Sequence, residues 1–245
     1  VPSKHDLEMP ERLAISYRTH DELIVKGDKL LQQKDTRMLL PLQNQGIFFG
    51  KGKSDKIAFL FPGQGSQYIN MANQLRENYP AVSKIFEEAD KIMASRLNKK
   101  LSEYIFMSDK SKEAIQKTEE ELRFTKVTQP AVLTVDIAIY ELLKQFGIKP
   151  DMVIGHSLGE YGALVASGIM TFSDALIAAS ARAKEMSDIQ LQDKGIMASV
   201  FAGYSIVQMA LKDVKGYVVA ANINSPSQTV DRKSTRLNSS HRIRS

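Results

Sequence analysis

Five consecutive residues, Gly155-His156-Ser157-Leu158-Gly159, constrain the fold of this chain more than any others. A short apolar run (Met152, Val153, Ile154) leads into them, and a helical pattern from Glu160 to Ser167 leads out. G-x-S-x-G between a strand and a helix encodes a sharp turn that lifts a serine hydroxyl to the top of a sheet. The N–H of Leu158 and the positive end of the following helix then face the place where an oxyanion would form. Ser157 is the candidate nucleophile, although the same spacing also suits a serine that only caps its helix.

At 245 residues, with 43% hydrophobic and 25% charged content, the chain can bury the core of a large α/β domain. It has no cysteine, which excludes disulfides, thiolate metal sites and a cysteine nucleophile, and fits a reducing compartment. No apolar run reaches membrane-spanning length and the first residues lack a signal-peptide layout, so a soluble cytoplasmic protein with no membrane partner is expected. The chain opens on Val1 rather than methionine, as a piece cut from a longer protein would.

The formal charge of +5 invites a nucleic-acid partner, but its location argues against one. Arg232, Lys233, Arg236, Arg242 and Arg244 against Asp231 concentrate a net +4 in residues 231–245, leaving +1 for the rest. That segment holds two aliphatic residues and no aromatic, so it offers neither a core nor a stacking surface for bases. It reads as a basic arm or, preferred here, as adapter-derived or frameshifted sequence forming a non-native, disordered tail.

Along the chain, residues 1–55 read as a leader. Thr19-His20-Asp21-Glu22 fits a capping box before a helix with Leu23, Ile24, Leu30 and Leu31 on its apolar side. Gly50-Lys51-Gly52-Lys53-Ser54 resembles the end of a phosphate loop, but Ile47 stands where that loop needs glycine. From Lys56 a buried-strand run, Ile57 to Phe61, ends in Pro62-Gly63-Gln64-Gly65-Ser66-Gln67, and one helix is expected to follow through Met71, Leu75, Val82, Ile85, Phe86 and Ala89. Residues 95–126 suggest surface helices. Thr128 starts a strong helix, Gln129-Pro130 through Phe146, that Gly147 stops, and Asp174 to Asp188 forms another. Small neighbours (Ala178, Ala179, Ala181, Ala183) leave Arg182 room to enter a pocket, or merely to snorkel to solvent. Residues 195–230 read as strand, helix, strand and turn, with a third strand starting at Gln228.

Taken together, Phe61 to Gln67, Thr128-Gln129-Pro130-Ala131, Gly155 to Tyr161, Arg182 and Asn222-Ile223-Asn224-Ser225-Pro226 resemble the acyltransferase family. That family includes malonyl-CoA:acyl carrier protein transacylases and the acyltransferase domains of polyketide and fatty acid synthases. The resemblance implies an α/β-hydrolase-like core with a mostly parallel sheet over 56–194, and an incomplete ferredoxin-like subdomain over 195–230. It implies that Ser157 carries the acyl group, that Gln64 and Leu158 form the oxyanion hole, and that Arg182 pairs with the free carboxylate of a malonyl-type substrate. Gln129, Met186 and Asn224 are the further substrate-binding positions. No metal and no bound cofactor are implied. Coenzyme A thioester and carrier-protein phosphopantetheine are substrates, malonyl-CoA is favoured with methylmalonyl-CoA behind it, and acyl carrier protein is the partner. Residues 1–55 look like the linker that follows a ketosynthase in type I synthases.

The departure from the family lies in the base. The family's histidine comes well downstream of the serine, whereas this chain offers His5, His20, His156 and His241. His156 is too close along the chain to approach Ser157, and His241 sits in the suspect tail, so the base is expected beyond the end of this sequence. A serine esterase or thioesterase shares the elbow but calls for an HGGG-like loop and no carboxylate clamp. A catalytically dead docking fragment is the non-enzymatic alternative.

Overall fold

The structure, a computed structural model, describes residues 9–33, 36–52, 55–188, 196–214 and 216–234. The chain divides into two units, Val1–Ser187 and Asp188–Ser245.

The leader has a fold of its own. Strand β1 (Glu11–Ile15) pairs antiparallel with β2 (Ile47–Lys51), Ile15 opposite Ile47, and helix α1 (His20–Leu31) and a 3₁₀ helix (Thr36–Gln45) connect them. Half of the capping box forms as expected, the Thr19 hydroxyl accepting the Glu22 N–H at 3.2 Å, while the Glu22 carboxylate reaches one residue past the cap and accepts the Arg18 N–H at 2.7 Å. Leu42 and Ile47 are buried, with Ile15, Leu30 and Phe49 against them, as a small core separate from the main one.

The main core follows as β3 (Ala58–Phe61), α2 (Asn73–Asn78), α3 (Pro80–Met93), α4 (Leu101–Ile105), α5 (Lys112–Arg123), α6 (Thr125–Gln145), β4 (Met152–Gly155), α7 (Gly159–Ala166) and α8 (Phe172–Asp188). Where the spacing predicts one helix after Gln67 there are two, because Pro80 opens α3 and leaves α2 as a short turn. Helix α6 begins at Thr125, ahead of the expected start, so Pro130 lies inside it. It is buried from Val127 to Val135 and again at Ile137 and Ala138, and α3, α4, α5 and α7 pack around it.

Strands β3 and β4 run parallel, Ala58 opposite Met152 and Phe61 opposite Gly155. The inner face is tied down by Phe59, whose ring meets Tyr140 of α6 edge-on at 6.3 Å, while the Tyr140 hydroxyl donates to the Ala166 carbonyl at 3.2 Å. The apolar run predicts burial on both faces, but Leu60 and Ile154, pointing the other way, are 73% and 57% exposed.

The second unit holds β5 (Ile196–Val200), α9 (Tyr204–Leu211), β6 (Tyr217–Ser225) and β7 (Gln228–Ser234). The order is β5-β7-β6 with β7 antiparallel to both neighbours, a split β-α-β arrangement as in the first half of a ferredoxin-like fold. The basic segment set apart at residue 231 is in part structural. Asp231 to Ser234 complete β7, with Arg232 opposite both Met197 and Val219, because a backbone ladder needs no apolar side chains. Residues 235–245, His241 included, lie outside the described residues. Among those described, no helix is long and apolar enough to cross a membrane.

Asp136 of α6 is the misfit in this core. It shares a helix face with Gln129 and Tyr140, its Oδ2 is buried without a hydrogen-bond partner, and desolvation pushes its pKa up from 3.8 to about 7. The folded chain therefore holds this proton more tightly than the unfolded chain does. The resulting penalty is absent below the unfolded pKa, grows as pH rises towards the folded one, and is constant above it. Asp136→Asn is expected to stabilise the protein at pH 8, with a gain that shrinks to nothing near pH 4. Urea midpoints measured across that range check this, and a pH-independent gain would count against it.

Candidate active site

The elbow is built by close approach. Gly159 opens α7 directly beneath the end of β3, and a Cβ there would lie 2.0 Å from the Phe61 carbonyl oxygen, backbone that cannot yield. Ser157 takes a left-handed φ of 54°, which costs a non-glycine residue about 1–2 kcal/mol and presses its side chain outward. Leu158 is completely buried and anchors the turn, while its N–H belongs to the first turn of α7, where backbone donors have no intrahelical acceptor. The loop after β3 packs on the elbow at Gly63, where a Cβ would meet the His156 carbonyl oxygen at 2.8 Å. His156 also donates its N–H to the Phe61 carbonyl at 3.1 Å, locking elbow to strand.

Five side chains meet above this base. Arg182 of α8 donates from one guanidinium nitrogen to Ser157 Oγ at 3.2 Å and from the other to Gln129 Oε1 at 2.9 Å. Gln129, fully buried on α6, donates through Nε2 to Gln64 Oε1 and to Met186 Sδ, each at 3.4 Å. Gln64 in turn donates to Thr125 Oγ1 at 3.4 Å. Arg182 is held in place by its neighbours, because Ala175, Ala179 and Ala183 form a fully buried stripe that seats α8 and leaves the guanidinium at the elbow.

Of the residues singled out in the sequence, the structure brings together Ser157, Leu158, Gln64, Gln129, Arg182 and Met186. Asn224 lies on β6 in the second unit, where its amide donates to Gln228 Oε1 at 3.2 Å. Thr125 was missed. Its one cue is a position four residues before Gln129, on the same face of a helix that starts earlier than Pro130 suggests.

This arrangement presents an exposed serine hydroxyl at a helix N-terminus, beside a guanidinium able to hold a carboxylate through two parallel hydrogen bonds. Among the described residues, no cluster of His, Asp or Glu could hold a metal ion.

A family profile described as the acyl transferase domain matches residues 58–236, nearly the whole of this architecture after the leader. The chain belongs to the acyl transferase domain family. Within it, the malonyl CoA-acyl carrier protein transacylase of Bacillus subtilis (strain 168) is 42% identical over 182 residues, covering 71% of this chain and 52% of that protein. The acyltransferase domain from the second module of the salinomycin polyketide synthase superposes with a TM-score of 0.72 at 26% identity, over 94% of this chain and 50% of that one. A malonyl-transacylase solved with its type II polyketide synthase acyl-carrier protein gives a TM-score of 0.64 at 31% identity, over 74% of this chain and 56% of that one. The chain spans about half the length of the relatives it matches.

Backbone strain at Ser157 has a measurable signature. Ser157→Gly and Ser157→Ala both remove the hydroxyl, but only glycine relieves the left-handed φ, so the glycine variant should be the more stable by about 1 kcal/mol. Guanidinium chloride unfolding of the pair reads this directly, and equal midpoints would mean that the elbow is not strained.

Proposed function

We propose that the chain carries the nucleophile and the carboxylate clamp of an acyltransferase that moves a malonyl group from coenzyme A to the phosphopantetheine thiol of an acyl carrier protein. The observation that carries this reading is the position of Arg182, hydrogen-bonded at once to Ser157 and to the buried Gln129. In the first half-reaction Ser157 Oγ attacks the thioester carbonyl, its proton passes to a base, and the carbon–sulfur bond breaks to release coenzyme A. The oxyanion is held by the Leu158 N–H with Gln64 beside it. In the second, the carrier thiol attacks the acyl-serine ester and the serine recovers its proton. A serine hydroxyl needs a base to react near neutral pH, and we assign that role to a histidine outside the described residues. Coenzyme A and phosphopantetheine serve as substrates, with no resident cofactor or metal, in the cytoplasm.

A guanidinium beside the nucleophile favours acyl groups that end in a carboxylate, which sets this reading above a serine esterase or thioesterase. Malonyl is the favoured group, with methylmalonyl behind it. Asn224 is a further substrate-binding position in this reading, and Met186 lines the acyl pocket.

The leader favours a modular parent. The domain from a polyketide synthase module matches 94% of the chain and the malonyl-transacylase solved with its carrier protein 74%, and the leader of this chain is structured as β1, α1 and β2. Residues 1–55 then serve as the linker between an upstream ketosynthase and the acyltransferase.

Arg182→Ala should lower malonyl loading relative to acetyl by roughly ten- to a hundredfold, the loss expected for a charge-assisted hydrogen-bond pair, while acetyl loading holds or rises. Intact-mass spectrometry of the Ser157 acyl adduct after incubation with each thioester checks this, and an unchanged malonyl preference would sink the assignment.

A further inference from the structure

The Gln129 amide is held at both ends by one helix. Its Oε1 accepts from Arg182 at 2.9 Å and its Nε2 donates to Met186 Sδ at 3.4 Å, and Arg182 and Met186 stand one turn apart on α8. A thioether is a weak acceptor, a poor match for the N–H of a fully buried amide. Met186 is also 48% exposed, whereas Met71 and Met93 in the main core are 3% and 0% exposed. Two properties therefore meet at this residue: solvent reaches it, and its sulfur faces the polar atoms that hold the clamp.

The geometry points to Met186 as an oxidation site through which a peroxide weakens the hold of Arg182 on a carboxylate. A sulfur lone pair attacks one oxygen of hydrogen peroxide and the oxygen–oxygen bond breaks. The proton of the transferred oxygen passes to the leaving hydroxide to give water, so the sulfur gives up two electrons and becomes a sulfoxide. A strong acceptor then stands where a weak one stood. It competes for the donors that a substrate carboxylate needs, the Gln129 NH₂ group and, one turn back on α8, the guanidinium of Arg182, which has only donors. An acyl group that ends in a carboxylate must displace this oxygen, whereas an acetyl group makes no demand on the guanidinium. Reduction of the sulfoxide restores the thioether, which makes the change reversible. This inference rests on the malonyl reading above.

The test is equilibrium binding of malonyl-CoA and acetyl-CoA to the full 245-residue chain, by titration calorimetry, before and after hydrogen peroxide, for wild type and Met186→Leu, each compared with its own untreated sample. Met186 is the only methionine of the tryptic peptide 185–194, so the mass of that peptide reports its oxidation apart from every other methionine. Oxidation of the wild type should cut its preference for malonyl-CoA roughly tenfold, the size expected of one hydrogen bond to a charged group, with acetyl-CoA affinity held. Methionine sulfoxide reductase should bring the preference back, and peroxide should leave the preference of Met186→Leu where it was. A wild type that keeps its preference with Met186 fully oxidised overturns the inference, as does a folded chain in which Met186 resists oxidation. A leucine variant that loses its preference to peroxide overturns it too, and so does a parallel loss of both thioesters, which would mark a blocked or damaged pocket. An untreated wild type that binds both thioesters equally overturns the carboxylate-clamp reading, and the inference with it.

Discussion

Parallel pairing of β3 with β4 is the constraint on which the site depends. Two strands running the same way deliver their carboxyl ends to one edge, so the loop at Gln64 and the turn at Ser157 emerge side by side although far apart in sequence. The hairpin alternative would have sent them to opposite ends. The pairing holds only if α7 can start hard against β3, which Gly159 permits by offering no Cβ to the Phe61 carbonyl. Helix α6 then fills the inner face, with Phe59 against Tyr140 at one end and Gln129 at the other. One buried helix thus both closes the core and supplies the hub of the polar network.

Core and site differ in what they ask of α6. Val127 through Ala138 are mostly apolar and buried, yet one face of the helix carries Gln129, Asp136 and Tyr140. Gln129 and Tyr140 are satisfied by hydrogen bonds, whereas one oxygen of Asp136 is not. The uncompensated polar cost of this helix therefore falls on Asp136.

Some of this was legible from residues alone because backbone geometry writes itself into sequence. The elbow was readable in Gly155 to Gly159, since a turn this tight admits few residue types, and the leader helix was readable in its capping box. The split β-α-β unit showed as strand, helix and strand, but the insertion of β7 between β5 and β6 did not, because order in a sheet is a long-range property. The limit of β7 was misjudged for a related reason: Asp231 to Ser234 look unlike a core strand, and a ladder asks only for their backbone. Pro130 looks like a first-turn residue and so hides the true start of α6 at Thr125. Thr125 was lost with it. Arg182 was visible as a candidate, but its partners were not, since nothing in the spacing says that a helix 53 residues away brings Gln129 to its other nitrogen.

The two-sided grip of Arg182 has a consequence for handling the protein. The guanidinium has one nitrogen on a neutral amide and the other on a serine hydroxyl, and no salt bridge involving it occurs among the described residues. Citrate, phosphate or malonate in a buffer carries the chemistry that such a cation binds, and high ionic strength screens what remains exposed. The anion a buffer contains is thus a partner of this site in its own right, and affinities for any carboxylate ligand measured in different buffers describe different competitions.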